Sequence, residues 1–303
     1  MYCGNTVANG FGGLLAAGVL EIHGGDLEAW RWLFIIEGLG TILAGAAAFF
    51  LLPDFPDTKK PRWLTEQEQR FAIWRLADAI NGEDDELGTI RAAIVDALTD
   101  PKVYLLVLIQ NCLLSSQTWT YFFPTIIQTL GYNSTISLLL TAPVYIFGFL
   151  TSLGNSFIAM KSGRRAVLII WPLTIDIIGN VMVISSHKTA VRYTGMFLMC
   201  AGSYSAFNVV QAWIGSTVPR TRTKRAFTYA LVNVMGNLSN VYGPYFFPSN
   251  AGPQYLHAGI TLSSFALGGC CFAASLAVYL RHLNRKAAAA EVGDGIVRYR
   301  FMY

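Results

Sequence analysis

Residues 161–185 read KSGRR followed by AVLIIWPLTIDIIGNVMVIS. A short basic loop is followed by twenty positions that hold one acid, Asp176, and no base. A bilayer core about 30 Å thick is crossed by roughly 20 helical residues, and only a helix or a closed barrel satisfies its own backbone there. The stretch Ala166–Ser185 is therefore predicted to be a transmembrane helix with a basic anchor before it. Outward in both directions the same pattern recurs. Apolar stretches run over Thr6–Ile22, Trp32–Leu52, Val103–Ile127, Ile136–Met160, Tyr193–Gly215, Ala226–Phe247 and Ala258–Leu280. The chain is expected to be an all-α integral membrane protein with eight transmembrane helices, the first of them the shortest and rich in glycine.

Charge placement gives the orientation. If the spans alternate, the loops at 53–102, 161–165 and 216–225 and the tail after Leu280 share one side. Of the 22 Lys and Arg, all but Arg31, Lys188 and Arg192 fall there. The positive-inside rule puts that side, with the carboxyl terminus, in the cytosol. The net charge of +4 then reflects topology, and no nucleic-acid partner is expected. With 53% hydrophobic and 13% charged residues, against about 25% charged in a soluble domain, a soluble fold is excluded. Cys3, Cys112, Cys200, Cys270 and Cys271 lie in or beside spans without C-x-x-C spacing and are read as small apolar fillers. The amino terminus lacks the pattern of a secretory signal.

Four regions follow: residues 1–52 with two spans, a cytosolic linker at 53–102, a six-helix unit at 103–281, and a tail at 282–303. The linker opens with Pro53-Asp54-Phe55-Pro56-Asp57 and Lys59-Lys60-Pro61-Arg62. Thr65 and Glu68 form a capping box, which predicts a surface helix over Glu66–Ile80. Asn81-Gly82 and the acids Glu83–Glu86 end it in a solvated turn. A second short helix is expected over Thr89–Leu98, before Asp100-Pro101.

Several ordered motifs carry a resemblance. They are Phe11-Gly12-Gly13-Leu14, Trp30-Arg31-Trp32 with Glu37-Gly38, Leu52-Pro53-Asp54-Phe55-Pro56, Leu64-Thr65-Glu66-Gln67-Glu68, Phe123-Pro124-Thr125 with Leu130-Gly131-Tyr132, and Thr223-Lys224-Arg225-Ala226 with Gly236-Asn237 and Gly243-Pro244. Together they resemble the allantoate permease branch of the anion:cation symporters, within the major facilitator superfamily. The resemblance implies a twelve-helix fold in two halves with substrate between them, and this chain would hold helices five to twelve and lack the first four. It also implies a plasma-membrane secondary transporter of a small organic anion (a carboxylate, vitamin or ureide), coupled to protons by alternating access and needing no cofactor beyond the proton. Nicotinate, pantothenate, allantoate, ureidosuccinate and dicarboxylates are all handled by such families. The partners implied are the anion and the lipid bilayer, with the missing helices on another chain as a further one. The alternative is a truncated, transport-inactive fragment with at most an interaction role.

Polar residues at helical spacing map the interior, because unpaired polar groups in lipid are costly. In the third span Gln110, Gln117, Tyr121 and Pro124 would share one face, with Asn111 beside it. Thr141, Tyr145, Ser152 and Asn155 make a stripe on the fourth. Tyr204, Asn208 and Gln211 do so on the sixth, and Tyr229, Asn233, Asn237 and Asn240 on the seventh. These are substrate-cavity candidates, or else helix glue worth about 0.6 kcal/mol each. Glu37 and Asp176 are the proton-coupling candidates. Glu37 could equally lock a helix end, and Asp176 could be neutral and hydrogen-bonded, with Asn180 on its face. Gly163, Arg164 and Arg165 resemble the superfamily's gating loop, with Met160 where its acid would stand; the charges also serve as topogenic signals. Asn133-Ser134-Thr135 is a glycosylation sequon. His23, His187, His257 and His282 form no metal or catalytic pattern, and no GxxxxGK[ST] run is present, which argues against a membrane-embedded enzyme and against ATP-driven transport.

Overall fold

A computed structural model of the chain describes residues 3–20, 27–52, 64–80, 89–128, 131–218, 221–248, 255–294 and 301–303. The proline-rich boundary at 53–62, the acidic turn at 81–86, and His23, Leu130 and Arg220 lie outside them. Among the described residues every regular element is helical: α1 (Cys3–Leu20), α2 (Ala29–Leu51), α3 (Glu66–Ile80), α4 (Ile90–Thr99), α5 (Pro101–Ser116), α6 (Phe123–Gln128), α7 (Ser134–Ser162), α8 (Val167–Ser185), α9 (Thr189–Thr217), α10 (Arg222–Asn237), α11 (Ser239–Tyr242) and α12 (Leu256–Asp294), with 3-10 turns at Gln117–Phe122 and Gly243–Phe246.

The linker forms as the capping box requires. Thr65 N–H donates to the Glu68 carboxylate at 2.9 Å and Glu68 N–H returns to Thr65 Oγ1 at 3.3 Å, at the start of α3. The Thr65 N–H and the Thr65 hydroxyl, which donates to the same carboxylate at 2.8 Å, hold the Glu68 carboxyl below its ordinary pKa. Asp100 caps α5 by accepting from Lys102 N–H, with Pro101 opening that helix. Asn133 caps α7 through Ile136 N–H at 2.9 Å, so the amide of the sequon is engaged at a helix start.

Two expected spans are broken. The stretch Val103–Ile127 bends out of α-geometry at Gln117, and Ala226–Phe247 does so after Asn237. The breaks meet: a Cβ at Gly243 would overlap the Thr118 side chain, so only glycine lets the two bends touch. The face assumed to carry Gln110, Gln117, Tyr121 and Pro124 is therefore not a single face. Gln110 is fully enclosed while Tyr121 is 61% exposed, because a helical period of 3.6 does not run through a 3-10 turn.

Four described helices are long and apolar enough to cross a membrane: Ala29–Leu51, Ser134–Ser162, Val167–Ser185 and Leu256–Ala290. Four is fewer than the eight spans expected. The breaks shorten α5 and α10, and α9 dilutes its apolar run with Tyr204, Asn208 and Gln211.

Helices α5 and α7–α12 form one bundle. Its interior has two apolar clusters, one around Leu113, Ile169, Leu173, Val210 and Trp213, the other around Trp119, Phe123, Met196, Met199 and Leu262. The first lies toward the basic end, which carries Lys102, Arg165 and Lys224. Backbones of α8 and α9 approach closely, since a Cβ at Gly195 would stand 2.8 Å from the Gly179 carbonyl oxygen. α1 packs along α7, and α2 packs chiefly on α1 with none of its residues buried. At the basic end Lys224 Nζ bonds Asp96 at 2.9 Å and Asp100 at 3.1 Å, tying α4 and the start of α5 to α10. Residues 301–303 return to the same end, where Trp213 Nε1 donates to the Met302 carbonyl at 3.0 Å.

Candidate functional site

A cleft of about 610 Å³ opens between α7, α9 and α10, within the range of small-molecule sites. One wall is polar. Asn208 and Gln211 come from α9, Tyr229 and Asn233 from α10, and Ser156 from α7, while Leu153, Phe157 and Met160 make the apolar side. Helical spacing explains the convergence: Tyr229 and Asn233 are one turn apart, as Asn208 and Gln211 are three residues apart, so each pair shares a face.

The polar groups hold one another. Gln211 Nε2 donates to Asn233 Oδ1 at 3.4 Å, Tyr229 hydroxyl donates to the Gln211 carbonyl at 2.8 Å, Asn233 Nδ2 donates to the Tyr229 carbonyl at 2.9 Å, and Asn208 Nδ2 reaches Ser152 Oγ. At the basic rim stands Arg165, the one charged residue among the described residues lining the cleft. The chain turns to place it: Gly163 ends α7 at φ +65°, a left-handed cap that suits glycine. The Arg165 Nε is buried and has no hydrogen-bond partner among the described residues, and burial holds the guanidinium pKa below its ordinary value. A cation with an uncommitted donor, over a wall of amides and a phenol, offers a carboxylate both charge and directional hydrogen bonds.

Other residues singled out from sequence sit elsewhere. Gln110 is enclosed against Gly236 of α10, and Asn111 Nδ2 donates to the Met235 carbonyl at 2.9 Å while its Oδ1 accepts from Tyr242 at 3.0 Å. Gln117 caps α5, and Tyr121 donates to Asn240 at 3.2 Å. Asn237 is exposed and donates to the Asn233 carbonyl at 2.8 Å. Tyr145 and Tyr204 belong to an aromatic cluster with Trp119 and Phe123. Arg164 is exposed, and Glu37 is exposed on α2, away from Asp176. Asp176 is wholly buried on α8.

Sequence reasoning did not assign the roles of two groups. Asn155, noted only as part of a stripe, donates to the Leu168 and Ser205 carbonyls at 3.0 Å each and accepts from Trp171 Nε1 at 3.2 Å, joining α7, α8 and α9. Asn9 of α1 donates to the Tyr204 hydroxyl at 2.8 Å. A mid-helix asparagine in an apolar run was the available signal in both cases.

An all-helical bundle with long apolar helices fits a membrane protein, and a polar cleft with one cation at its rim lies between the helices. Residues 1–244 match the profile of the Major Facilitator Superfamily, and the chain belongs to that family of integral membrane proteins. It is 31% identical to the MFS-type transporter cnsO of Penicillium expansum over 97% of this chain and 59% of that protein. It is 28% identical to the Major facilitator-type transporter hxnP of Emericella nidulans over 98% of this chain and 61% of that one, and 26% identical to the MFS-type transporter efuF of Hormonema carpetanum over 94% and 58%. The chain thus spans about three-fifths of the length of these relatives. These relatives are named as transporters.

Proposed function

We propose that the chain is the larger part of a secondary active transporter of a small organic anion, resembling the allantoate permease branch, coupled to protons by alternating access. The observation that carries this is Arg165 at the rim of the cleft, with Asn208, Gln211, Tyr229 and Asn233 below it. In this reading α1, α2, the broken helices α5–α6 and α10–α11, and α7, α8, α9 and α12 make eight spans. The basic end faces the cytosol, the tail lies there too, and the protein resides in the plasma membrane. Asn208 lies nine residues before the end of α9, about 14 Å up at 1.5 Å per residue, which suits a site near the midplane reached from the cytosol.

The test is uptake of labelled nicotinate and related carboxylates into proteoliposomes holding the protein, with and without an inward proton gradient. Gradient-driven uptake that falls tenfold or more in Arg165→Gln and is partly restored in Arg165→Lys is expected, because a charged hydrogen bond is worth about 1.5–3 kcal/mol. Equal uptake by the glutamine variant would remove Arg165 from the site. A second reading is favoured by α2, none of whose residues is buried: the 303 residues alone carry no transport and act through a partner that covers this helix. Uptake by the 303-residue chain alone decides against it.

A further inference from the structure

One face of α12 stays outward along the helix. Leu262, Ala266, Ala273, Leu276 and Leu280 are buried where α12 packs on α5 and α8, while Ile260, Leu267, Cys271 and Val278 point away and are exposed. Within each set the steps are three, four or seven residues, the repeat of a single helical face. The outward stripe is apolar as far as Val278. Its next positions are Arg281, His282, Arg285 and Lys286, all exposed and all at helical spacing from Val278. The inward positions of the same turns behave differently: Leu283 packs on the first apolar cluster, and Asn284 bonds the Phe301 backbone at 2.8 and 2.9 Å. The lipid-facing stripe therefore turns from apolar to basic within one turn, at the end of the helix where Lys102 and Arg165 also lie.

Acids that could neutralise this patch are scarce. The sequence has no Asp or Glu between Asp176 and Glu291. At the basic end Asp96 and Asp100 are taken by Lys224 and Lys102, and among the described residues no ion pair reaches Arg281, Arg285 or Lys286. Arg281 lies instead on the exposed ring of Tyr303, with its guanidinium carbon 4.9 Å from the ring centre. An amphipathic aromatic beside cations suits the headgroup layer of a bilayer. At its other end the same stripe carries Leu256, His257 and Ile260, with no Lys or Arg.

We propose that Arg281, Arg285 and Lys286 form a site for the headgroup of an anionic phospholipid, on the outer side of α12 in the leaflet at the basic end. Position selects the occupant: the three side chains stand one to two turns past Val278 on a stripe turned toward the acyl chains, so the nearest anions are those of the surrounding leaflet. Arg281 and Arg285 are one turn apart, about 6 Å along the axis. Each guanidinium presents a planar fork to two phosphate oxygens, and Lys286 adds a point charge. Their aliphatic stems lie along apolar surface while the charged ends reach the interface. Phosphatidylcholine offsets its phosphate with its own choline cation, whereas phosphatidylserine keeps a net negative headgroup, so the site should favour the serine lipid. The assignment needs α12 to cross the bilayer, and it is independent of which solute is carried and of what drives it.

Native mass spectrometry of the 303-residue chain released from nanodiscs of equal phosphatidylcholine and phosphatidylserine reads the site directly. Wild type is expected to retain phosphatidylserine in preference. Arg281→Gln/Arg285→Gln/Lys286→Gln should lose that preference, each cation contributing about fivefold. The control Arg70→Gln/Arg75→Gln/Arg91→Gln removes as much charge from exposed positions on α3 and α4 and should retain the serine lipid as wild type does. Equal retention of the two lipids by wild type overturns the proposal, as does an equal loss in the control, which would make net charge the cause. Displacement of the lipid by inorganic phosphate, but not by chloride at the same ionic strength, would assign the cations to a soluble anion and overturn it too. If the triple variant does not fold, an unaltered preference in Lys286→Gln overturns the site by itself.

Discussion

The side-chain amide of Asn9 on α1 donates a 2.8 Å hydrogen bond to the hydroxyl of Tyr204 on α9. It is a polar bond between the two-helix unit and the six-helix unit, and it lies where α1 crosses α7. A Cβ at Gly10 would stand 3.1 Å from Tyr145 Cβ and one at Gly13 would stand 3.0 Å from Thr141 Oγ1. Small residues bring the backbones close enough for the bond to form. Tyr204 in turn sits edge-on to Trp119 with ring centroids 6.4 Å apart, so the contact reaches the ring beside Asp176.

Asn9→Val and Tyr204→Phe are each expected to lower the unfolding temperature in nanodiscs slightly, through loss of about 0.6 kcal/mol. The double variant should be no worse than the stronger single one. Strictly additive effects in the double-mutant cycle would mean that the two groups do not interact.

At the basic end, Lys224 holds α4 through Asp96 and Asp100. Burial lowers its pKa, but the hydrogen bonds and charges of the two carboxylates outweigh that and leave it raised. A raised lysine contributes stability that is complete below the unfolded lysine pKa, about 10.4, and that is lost as pH rises through the higher folded value. Hydrogen exchange of the α4 amides should therefore stay slow through neutral pH and accelerate only in strongly alkaline buffer. Lys224→Met should show the fast rate at every pH, and slow exchange in that variant would dismiss the anchor.

Asn155→Leu should cost about 1–3 kcal/mol, because it strips three hydrogen bonds from a junction of α7, α8 and α9 and forces a leucine into a site 3% exposed. Thermal unfolding followed by circular dichroism checks this. A shift within error would assign the bonds a negligible share of the packing.

Residues 301–303 are clipped to the bundle by four groups. Asn284 bonds the Phe301 backbone twice, at 2.8 and 2.9 Å, Trp213 holds the Met302 carbonyl, Lys102 lies 4.6 Å from the Phe301 ring centre, and Arg281 lies 4.9 Å from that of Tyr303. Asn284→Leu removes the paired bonds, and amide exchange at residues 301–303 is expected to rise at least tenfold, corresponding to about 1.4 kcal/mol. Unchanged protection would show that the ring contacts suffice.

The helices of the linker were legible in sequence because their signals are local. A capping box starts α3 and an Asp-Pro pair starts α5, and both form as short-range chemistry requires. The long apolar helices α2, α7, α8 and α12 were legible for a different reason: with few alternatives for satisfying backbone groups in lipid, hydropathy alone commits such a segment to helix. Polar residues at one-turn spacing were also marked in sequence, and of these Asn208, Gln211, Tyr229 and Asn233 line one cleft.

Only tertiary structure decided which polar residues meet. A periodicity argument assumes an unbroken helix, and the 3-10 turns at Gln117 and Gly243 rotate Tyr121 and Pro124 away from the face of Gln110. Those turns arise where Thr118 packs on Gly243, a contact between residues 125 positions apart that no local pattern encodes. The same holds for Arg165, which sequence marks as a loop charge and packing places at the rim of the cleft. It holds for Asp176 as well, whose isolation is set by the close passage of Gly202. Sequence determined the helices and the solvent they are made for, since hydropathy and capping act within a few residues. The pairing of polar groups across helices came from packing, because the free energy of each such group depends on what the neighbouring backbone leaves open to it.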